Sequence, residues 1–338
     1  MDRTRRPALD GLRALAALGV VVHHAWQYSG HPAPWNLWLQ LSLGVALFFC
    51  LSGFLVYGPW VRGRPPRIGR FYAVRAARIL PLYYLTLAAS VALLYGTGHW
   101  RYVADWRLLG FAVLAQNYVP SMAGHLNPPT WSLAIEVTFY AVVPLIALLA
   151  RRRPLPVLIA LTVASAVWSH LTPEPAVVRQ TLLDVFSLFG VGMIARVLVE
   201  GREVPRSLAR ALFVAGAALV WAAAAHGWGT FPAGVGFAAI VVACASPHAP
   251  RLLSARPLAY LGTLSYGIYL WHYPILLALQ ARGLLPSGFA ATCLLVGVLA
   301  IAAAAASWHG FERPILLSAR GGRSRGGRPS LRAVPSSR

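Results

Sequence analysis

The first long apolar stretch of this chain, Leu9 to Tyr28, has the length of a membrane-spanning helix yet carries ionisable side chains. A charge at membrane depth costs about 2.5–3.5 kcal/mol on insertion scales, so such groups usually face a cavity and serve a function. On a helix, Arg13 and His24 share one face about 16 Å apart along the axis, whereas His23 projects roughly 80° away from Arg13. This spacing predicts a polar channel, lined by Arg13 and His24, around which the other helices close.

The composition of the whole chain is typical of a polytopic membrane protein. Of its 338 residues, 58% are hydrophobic and only 12% are charged, against about 25% charged in a soluble domain. The net charge of +21 is carried by arginine alone and falls mainly between apolar segments, which indicates membrane topology rather than a nucleic-acid partner. We therefore expect an all-α polytopic integral protein of the plasma or inner membrane.

The apolar segments predict about ten transmembrane helices with both termini in the cytoplasm. Most arginines outside the spans then lie on the cytoplasmic side, and only Arg101, Arg107, Arg179 and Arg282 lie opposite, as the positive-inside rule requires. The predicted spans are 9–28, 37–58, 79–96, 131–150, 155–171, 180–199, 208–226, 230–246, 258–280 and 287–310.

Several segments outside this pattern receive structural interpretations. We expect the first helix to remain as a signal anchor, because no cleavage site for a signal peptide follows it. Residues 106–118 are apolar but too short to span, so we predict a non-spanning segment on the outer side. Residues 1–317 form the predicted transmembrane domain, and residues 318–338 a disordered basic cytoplasmic tail. Buried packing is the expected role of the three cysteines, Cys50, Cys244 and Cys293.

The first cytoplasmic loop is rich in arginine and leads into the third span. Arg75 and Arg78 are three residues apart, so on a helix they point the same way and could grip a phosphate group in bidentate geometry. Arg70 is a further candidate. The alternative for the loop as a whole is that its arginines only set the membrane topology and contact lipid headgroups. Ser52 and Gly53, near the inner end of the second span, allow close approach of a ligand or simply of another helix.

The fourth span opens with a carboxylate that has no adjacent cation in sequence. Glu136 lies about one turn into the bilayer from the outer face, where it must find a partner or take up a proton. A functional role is favoured over a purely structural ion pair, which remains the alternative. Trp131, at the start of the span, is a natural interface anchor.

The ninth span carries one polar stripe. Ser265, Tyr269 and His272 fall at i, i+4 and i+7, and Pro274 removes the hydrogen bond to the carbonyl of Leu270 and kinks the helix. The pattern favours a cavity lining, with a satisfied core histidine as the alternative.

Five ordered motifs resemble the membrane acyltransferase-3 family over roughly residues 8 to 314. They are LDGLRALAALGVVVHH, FFCLSGFL, RAARILPLYY, WSLAIEVTFY and SYGIYLWHYPI. The family's arginine-then-histidine pattern matches Arg13 and His24. Its Arg-x-x-Arg pattern matches Arg75 and Arg78, and its Trp-Ser-Leu-x-x-Glu pattern matches the segment from Trp131 to Glu136.

The resemblance implies a membrane enzyme that moves an acyl group, acetyl in particular, from cytosolic acyl-coenzyme A without a metal. It implies an acceptor hydroxyl on a sugar, peptidoglycan, a surface polysaccharide or an antibiotic. Some members carry a C-terminal hydrolase-like domain that completes transfer to cell-wall polymers. This sequence ends soon after the tenth predicted span, so we expect a stand-alone enzyme acting on a glycan, a lipid-linked sugar or a secreted small molecule such as a macrolide.

The residues and the resemblance together predict a mechanism. Arg75 and Arg78 hold the donor's phosphates, and His24 acts as a base or as a covalently acylated relay. Glu136 either orients His24 or activates the acceptor from the outer side. Tyr269, His272 and Trp131 are weaker candidates for binding the acceptor or the developing oxyanion.

The alternative from another functional class is a transporter, because a channel lined by Arg, His and Glu could also move a polar solute or protons. Transporters often show inverted repeats with paired broken helices. This sequence has one Pro-kinked helix with no matching half, which favours the enzyme.

Overall fold

The protein is a bundle of long α-helices, seen here in a computed structural model that describes residues 6–30, 43–96, 107–119, 122, 125–172 and 181–321. Within these ranges there is no β-strand. The first part of the second predicted span, Arg101, Arg179 and residues 322–338 of the predicted tail lie outside them.

Each predicted span corresponds to one helix, so the all-α polytopic fold is confirmed. In the described ranges, eight helices are long and apolar enough to cross a membrane. Two further helices match predicted spans. They are Thr230–Ala245, with 16 residues, and the more polar Arg256–Ala281, with 26 residues. The long helices are α1 Pro7–Tyr28, α2 Gly44–Val61, α3 Ile68–Gly96, α5 Trp131–Leu149, α6 Pro154–Leu171, α7 Leu182–Val199, α8 Arg206–His226, α9 Thr230–Ala245, α10 Arg256–Ala281 and α11 Phe289–Ser307.

The segment before α5 does not span, as predicted. It forms the short helix α4, Arg107–Ala112, and a 3₁₀ turn, Gln116–Tyr118. The hydroxyl of Tyr83 on α3 donates to the carbonyl of Phe111 at 2.5 Å, and the hydroxyl of Tyr84 donates to that of Ala112 at 2.9 Å. These bonds fix α4 against α3 and satisfy carbonyls that α4 is too short to pair internally.

Two glycines let the helices around the site approach backbone to backbone. A Cβ at Gly262 of α10 would lie 1.9 Å from the carbonyl oxygen of Asp10 on α1. A Cβ at Gly53 of α2 would lie 2.1 Å from the carbonyl oxygen of Phe189 on α7. The predicted close approach at Gly53 is therefore a helix–helix contact, and small residues commonly serve this purpose in membranes.

Replacing Gly262 by alanine is expected to lower the thermal melting temperature of the detergent-purified protein, because α1 and α10 would have to separate. Overpacking of this kind typically costs about 1–3 kcal/mol. The matched control is Gly297→Ala on α11, where an added Cβ meets nothing within 4 Å. Equal melting temperatures for the two variants would contradict the close approach.

The carbonyl that Pro274 leaves without a donor in α10 binds the loop before α5. Pro274 lies inside α10 and cannot donate to the carbonyl of Leu270. The side-chain amide of Asn127 donates to this carbonyl at 3.2 Å. This bond ties the turn Pro128–Thr130, and therefore the start of α5, to the polar stripe of α10.

The C-terminal part of the described chain differs from the prediction. After α11 a π-helical turn, Trp308–Glu312, leads into α12, Arg313–Gly321. Glu312 is buried and accepts a hydrogen bond from Ser307 at 2.9 Å. The first four residues assigned to the disordered tail belong to α12, and the domain boundary itself stays a prediction.

Candidate active site

Two neighbouring cavities lie inside the bundle, and most of the predicted site residues line one or both of them. The first, which we call the arginine cavity, is enclosed by α1, α2, α3, α5 and α10. Its lining includes Arg13, Ser52, Arg78, Ser132, Glu136, Tyr140, Ser265, Tyr266 and Tyr269. The cavity therefore brings together residues from all five sequence motifs.

Glu136 is held by two hydroxyl groups in the arginine cavity. Ser52 on α2 donates to its Oε1 at 2.6 Å, and Tyr140, one turn further along α5, donates to the same oxygen. Neither bond involves His24, so the predicted orienting contact between Glu136 and His24 is wrong for this structure. The local reason is that α5 directs Glu136 toward the arginine-bearing helices, where cations offset its charge. Activation of the acceptor by Glu136 stays a prediction.

Arg13 and Arg78 face the same space as Glu136. Arg13 interacts electrostatically with Arg78, Asp10, Tyr140 and Glu136. Its Nε is buried and has no hydrogen-bond partner among the described residues. Two guanidinium groups thus face the cavity together, and their N–H donors suit an anionic or carbonyl-bearing ligand.

Arg75 supports the cavity from outside its lining. Its guanidinium lies 5.1 Å from the ring centroid of Tyr140 and 5.5 Å from that of Phe71. This cation–π contact holds the tyrosine that donates to Glu136. Arg70, by contrast, is exposed and does not line the cavity.

The second cavity, the histidine cavity, lies beside the first. Its lining includes Val20, His23, His24, Val45, Phe49, Pro129, Trp131 and Tyr269. Trp131 is half-buried, and its ring meets Phe49 edge-on at 6.1 Å between centroids. It therefore forms part of the wall beside the histidines, in addition to its predicted place at the start of α5.

His24 contacts His272 of α10 and not a carboxylate. His24 Nδ1 lies 3.0 Å from the carbonyl oxygen of Val20 and 3.1 Å from Nε2 of His272. Because a carbonyl can only accept, the proton of His24 lies on Nδ1, and His272 Nε2 accepts as well. Nε2 of His24 is then unprotonated, the state that a base requires. The His272 ring is fully buried, and its Nδ1 has no hydrogen-bond partner among the described residues.

Tyr269 separates the two cavities. Its hydroxyl donates to the carbonyl of Pro129 at 2.7 Å and meets Ser132 Oγ at 2.8 Å. The predicted polar stripe of α10 is therefore divided, because Ser265 and Tyr269 line the arginine cavity and His272 contacts His24. The single channel predicted for Arg13 and His24 is likewise two cavities with a shared wall that includes Phe49 and Tyr269.

Two functional contacts were missed by reasoning from the sequence. Tyr140 is four residues after Glu136 on one helix face, so the spacing alone could have indicated their bond. The contact between His24 and His272 joins residues 248 positions apart, and no local pattern reveals it. Among the residues that the structure describes, no group of three or more His, Cys, Asp or Glu could hold a metal ion.

Membrane-length helices that enclose buried arginine, glutamate and histidine define a multi-pass membrane protein with an internal polar site. The chain belongs to the membrane acyltransferase-3 family, because the family's acyltransferase domain matches residues 6–308.

Curated relatives carry related names. This chain is 28% identical over 334 residues to the peptidoglycan O-acetyltransferase OatA of Listeria monocytogenes, covering 82% of this chain and 51% of that protein. It is 29% identical over 335 residues to the putative membrane-bound transacylase BcsY of Komagataeibacter xylinus, covering 88% and 81%. It is 30% identical over 324 residues to the putative peptidoglycan O-acetyltransferase YrhL of Bacillus subtilis, covering 80% and 48%.

The chain spans about half the length of the two peptidoglycan relatives that it matches. No solved structure is significantly similar to it.

Proposed function

We propose that this enzyme transfers an acyl group, acetyl in particular, from acyl-coenzyme A to a hydroxyl group. The acceptor is a glycan, a lipid-linked sugar or a secreted small molecule such as a macrolide. The observation that carries the proposal is the pairing of His24 with His272 beside a cavity that holds Arg13 and Arg78. Similarity to OatA, a peptidoglycan O-acetyltransferase, and to YrhL, named as a putative one, supports acetyl transfer to oxygen.

The arginine cavity is the proposed donor site. Arg78 and Arg75 bind the phosphates of coenzyme A, since paired guanidinium groups suit phosphate oxygens. Arg13 lies deeper, and its buried Nε–H is free of partners among the described residues. It is suited to donate to a carbonyl of the pantetheine arm or to the thioester oxygen. Ser52 acts by holding Glu136, and Arg70 is the weakest member of this group because it is exposed.

His24 is the proposed base. Its Nε2 takes the proton of the acceptor hydroxyl while the hydroxyl oxygen attacks the thioester carbonyl carbon. The carbon–sulfur bond then breaks, coenzyme A leaves as the thiolate, and the imidazolium returns the proton to the sulfur. The products are an ester of the acceptor and free coenzyme A, and the enzyme ends in its starting state.

The covalent variant uses the same atom in two steps. Nε2 of His24 attacks the thioester, coenzyme A leaves as the thiolate, and the ring becomes an acyl-imidazolium that keeps its Nδ1 proton. The acceptor oxygen then attacks the acyl carbon, the bond to Nε2 breaks, and the hydroxyl proton passes to the thiolate. Incubation with labelled acetyl-coenzyme A in the absence of an acceptor distinguishes the two. The relay predicts label on His24, and the direct base predicts none.

We propose that His272 is a positioning residue that fixes the tautomer and orientation of His24. His272→Phe is expected to lower kcat roughly 10- to 100-fold with little change in the KM for the donor. His272→Gln, whose amide can still accept from His24 Nδ1, is expected to restore part of kcat. A merely structural role predicts no rescue, and an equal loss in both variants of correctly folded protein would contradict positioning.

The proposed function is tested with the purified full-length protein in nanodiscs, given labelled acetyl-coenzyme A and extracts of surface glycans and secreted metabolites. We expect release of coenzyme A together with a product that gains the mass of one acetyl group. Movement of an intact solute across sealed vesicles, without consumption of coenzyme A, would contradict the enzyme and favour a transporter.

A further inference from the structure

A second group of arginines lies where three helices end together. Arg6 precedes α1, Arg62 follows α2, and Arg196 lies in the last turn of α7, which Glu200 follows. We call these four residues the helix-end cluster. None of them lines the arginine cavity or the histidine cavity, and positive-inside topology alone does not explain their convergence.

Arg196 is the most buried arginine of the helix-end cluster. It is only 6% exposed, lies over the ring of Phe54 at 5.3 Å from the centroid, and forms an ion pair with Glu200. Its Nε is nevertheless buried without a hydrogen-bond partner among the described residues. A buried N–H donor of this kind costs free energy unless something pairs with it.

Two guanidinium groups lie against the backbone of Gly58. A Cβ at this position would lie 3.3 Å from Nε of Arg196 and 3.6 Å from Nη1 of Arg62. The two arginines therefore approach one point at the end of α2. Glycine therefore places no side chain between the two guanidinium groups.

The charges in the cluster do not balance. Arg196 interacts electrostatically with Glu200, Arg62 and Arg6, so three cations share one carboxylate. Partial burial lowers the pKa of Arg6, an effect that Glu200 opposes and Arg62 increases. Among the described residues of the cluster, the ion pair between Arg196 and Glu200 neutralises one of three positive charges, and Arg6 and Arg62 are exposed.

We propose that Arg6, Arg62 and Arg196 form a phosphate-binding site in which Glu200 is the competing anion. Arginine is the preferred residue for phosphate, because its planar fork donates two parallel hydrogen bonds. The phosphate belongs either to an anionic phospholipid headgroup or to a soluble phosphate compound, since the site lies where helix ends meet the headgroup region. The site is independent of acyl transfer.

The test uses the full-length protein in nanodiscs and has two arms. In the lipid arm, thermal stability is measured as phosphatidylglycerol replaces phosphatidylcholine. In the soluble arm, inorganic pyrophosphate is titrated into protein in phosphatidylcholine nanodiscs. Arg62→Gln is the main variant because Arg62 is exposed and its loss should not prevent folding. Arg210→Gln, an exposed arginine on α8, is the matched control.

Arg62→Gln is expected to weaken the response about tenfold in the arm that supplies the true ligand. Glu200→Gln is expected to strengthen the same response several-fold, because the competing carboxylate is gone. A change confined to the lipid arm identifies a headgroup, and a change confined to the soluble arm identifies a free phosphate. If Arg62→Gln responds like Arg210→Gln in both arms, the proposal is wrong.

Discussion

Replacing His24 by alanine is expected to abolish acyl transfer while the protein still inserts and folds. A positioned general base contributes roughly 10²- to 10⁴-fold to a rate, and a covalent relay through His24 would be lost entirely. Donor binding should be nearly unchanged, because Arg13 and Arg78 lie in the other cavity. The measurement is turnover of labelled acetyl-coenzyme A by purified variant protein, beside the KM for the donor.

His170→Ala is the matched control for this loss. His170 is an exposed histidine near the end of α6, and no proposed step uses it. Its variant should retain full turnover. Normal turnover by the correctly folded His24→Ala variant would show that His24 is neither the base nor the covalent relay.

Replacing Arg78 and Arg75 together by glutamine is expected to raise the KM for acyl-coenzyme A by about tenfold or more, with a smaller effect on kcat. The reason is that charge-assisted hydrogen bonds to phosphate are made in both the bound donor and the transition state. Arg78→Gln alone should cause most of the change, since Arg78 lines the cavity and Arg75 lies on Tyr140.

Arg67→Gln separates phosphate binding from a general loss of positive charge, because Arg67 is exposed just before α3. Arg70→Gln tests the weakest member of the predicted donor site in the same assay. An unchanged KM in the double variant, measured beside both single variants, would refute the donor site.

Much of the fold could be predicted because its causes are local. Membrane helices must satisfy their own backbone hydrogen bonds, so apolar runs of sufficient length marked ten helices. The effect of Pro274 was equally predictable, since a missing N–H frees a defined carbonyl, and the amide of Asn127 occupies it. The failure of residues 107–118 to span followed from their length alone.

The partners of the site residues could not be predicted, because they depend on how the helices pack. A helical face can be read from spacing, but the residue opposite that face belongs to a distant part of the chain. The sequence predicts that Glu136 could orient His24, whereas in the structure α5 directs Glu136 to Ser52 and the arginines. His272 was ranked below Glu136 although it contacts His24.

The central claim is that donor and acceptor reach His24 from opposite ends, the donor through the arginine cavity and the acceptor through the histidine cavity. The most direct test supplies labelled acetyl-coenzyme A only outside sealed inside-out vesicles that contain the enzyme and a trapped acceptor extract. We expect labelled ester inside the vesicles and free coenzyme A outside. Labelled ester found only outside, or none at all with an active enzyme, would contradict the account.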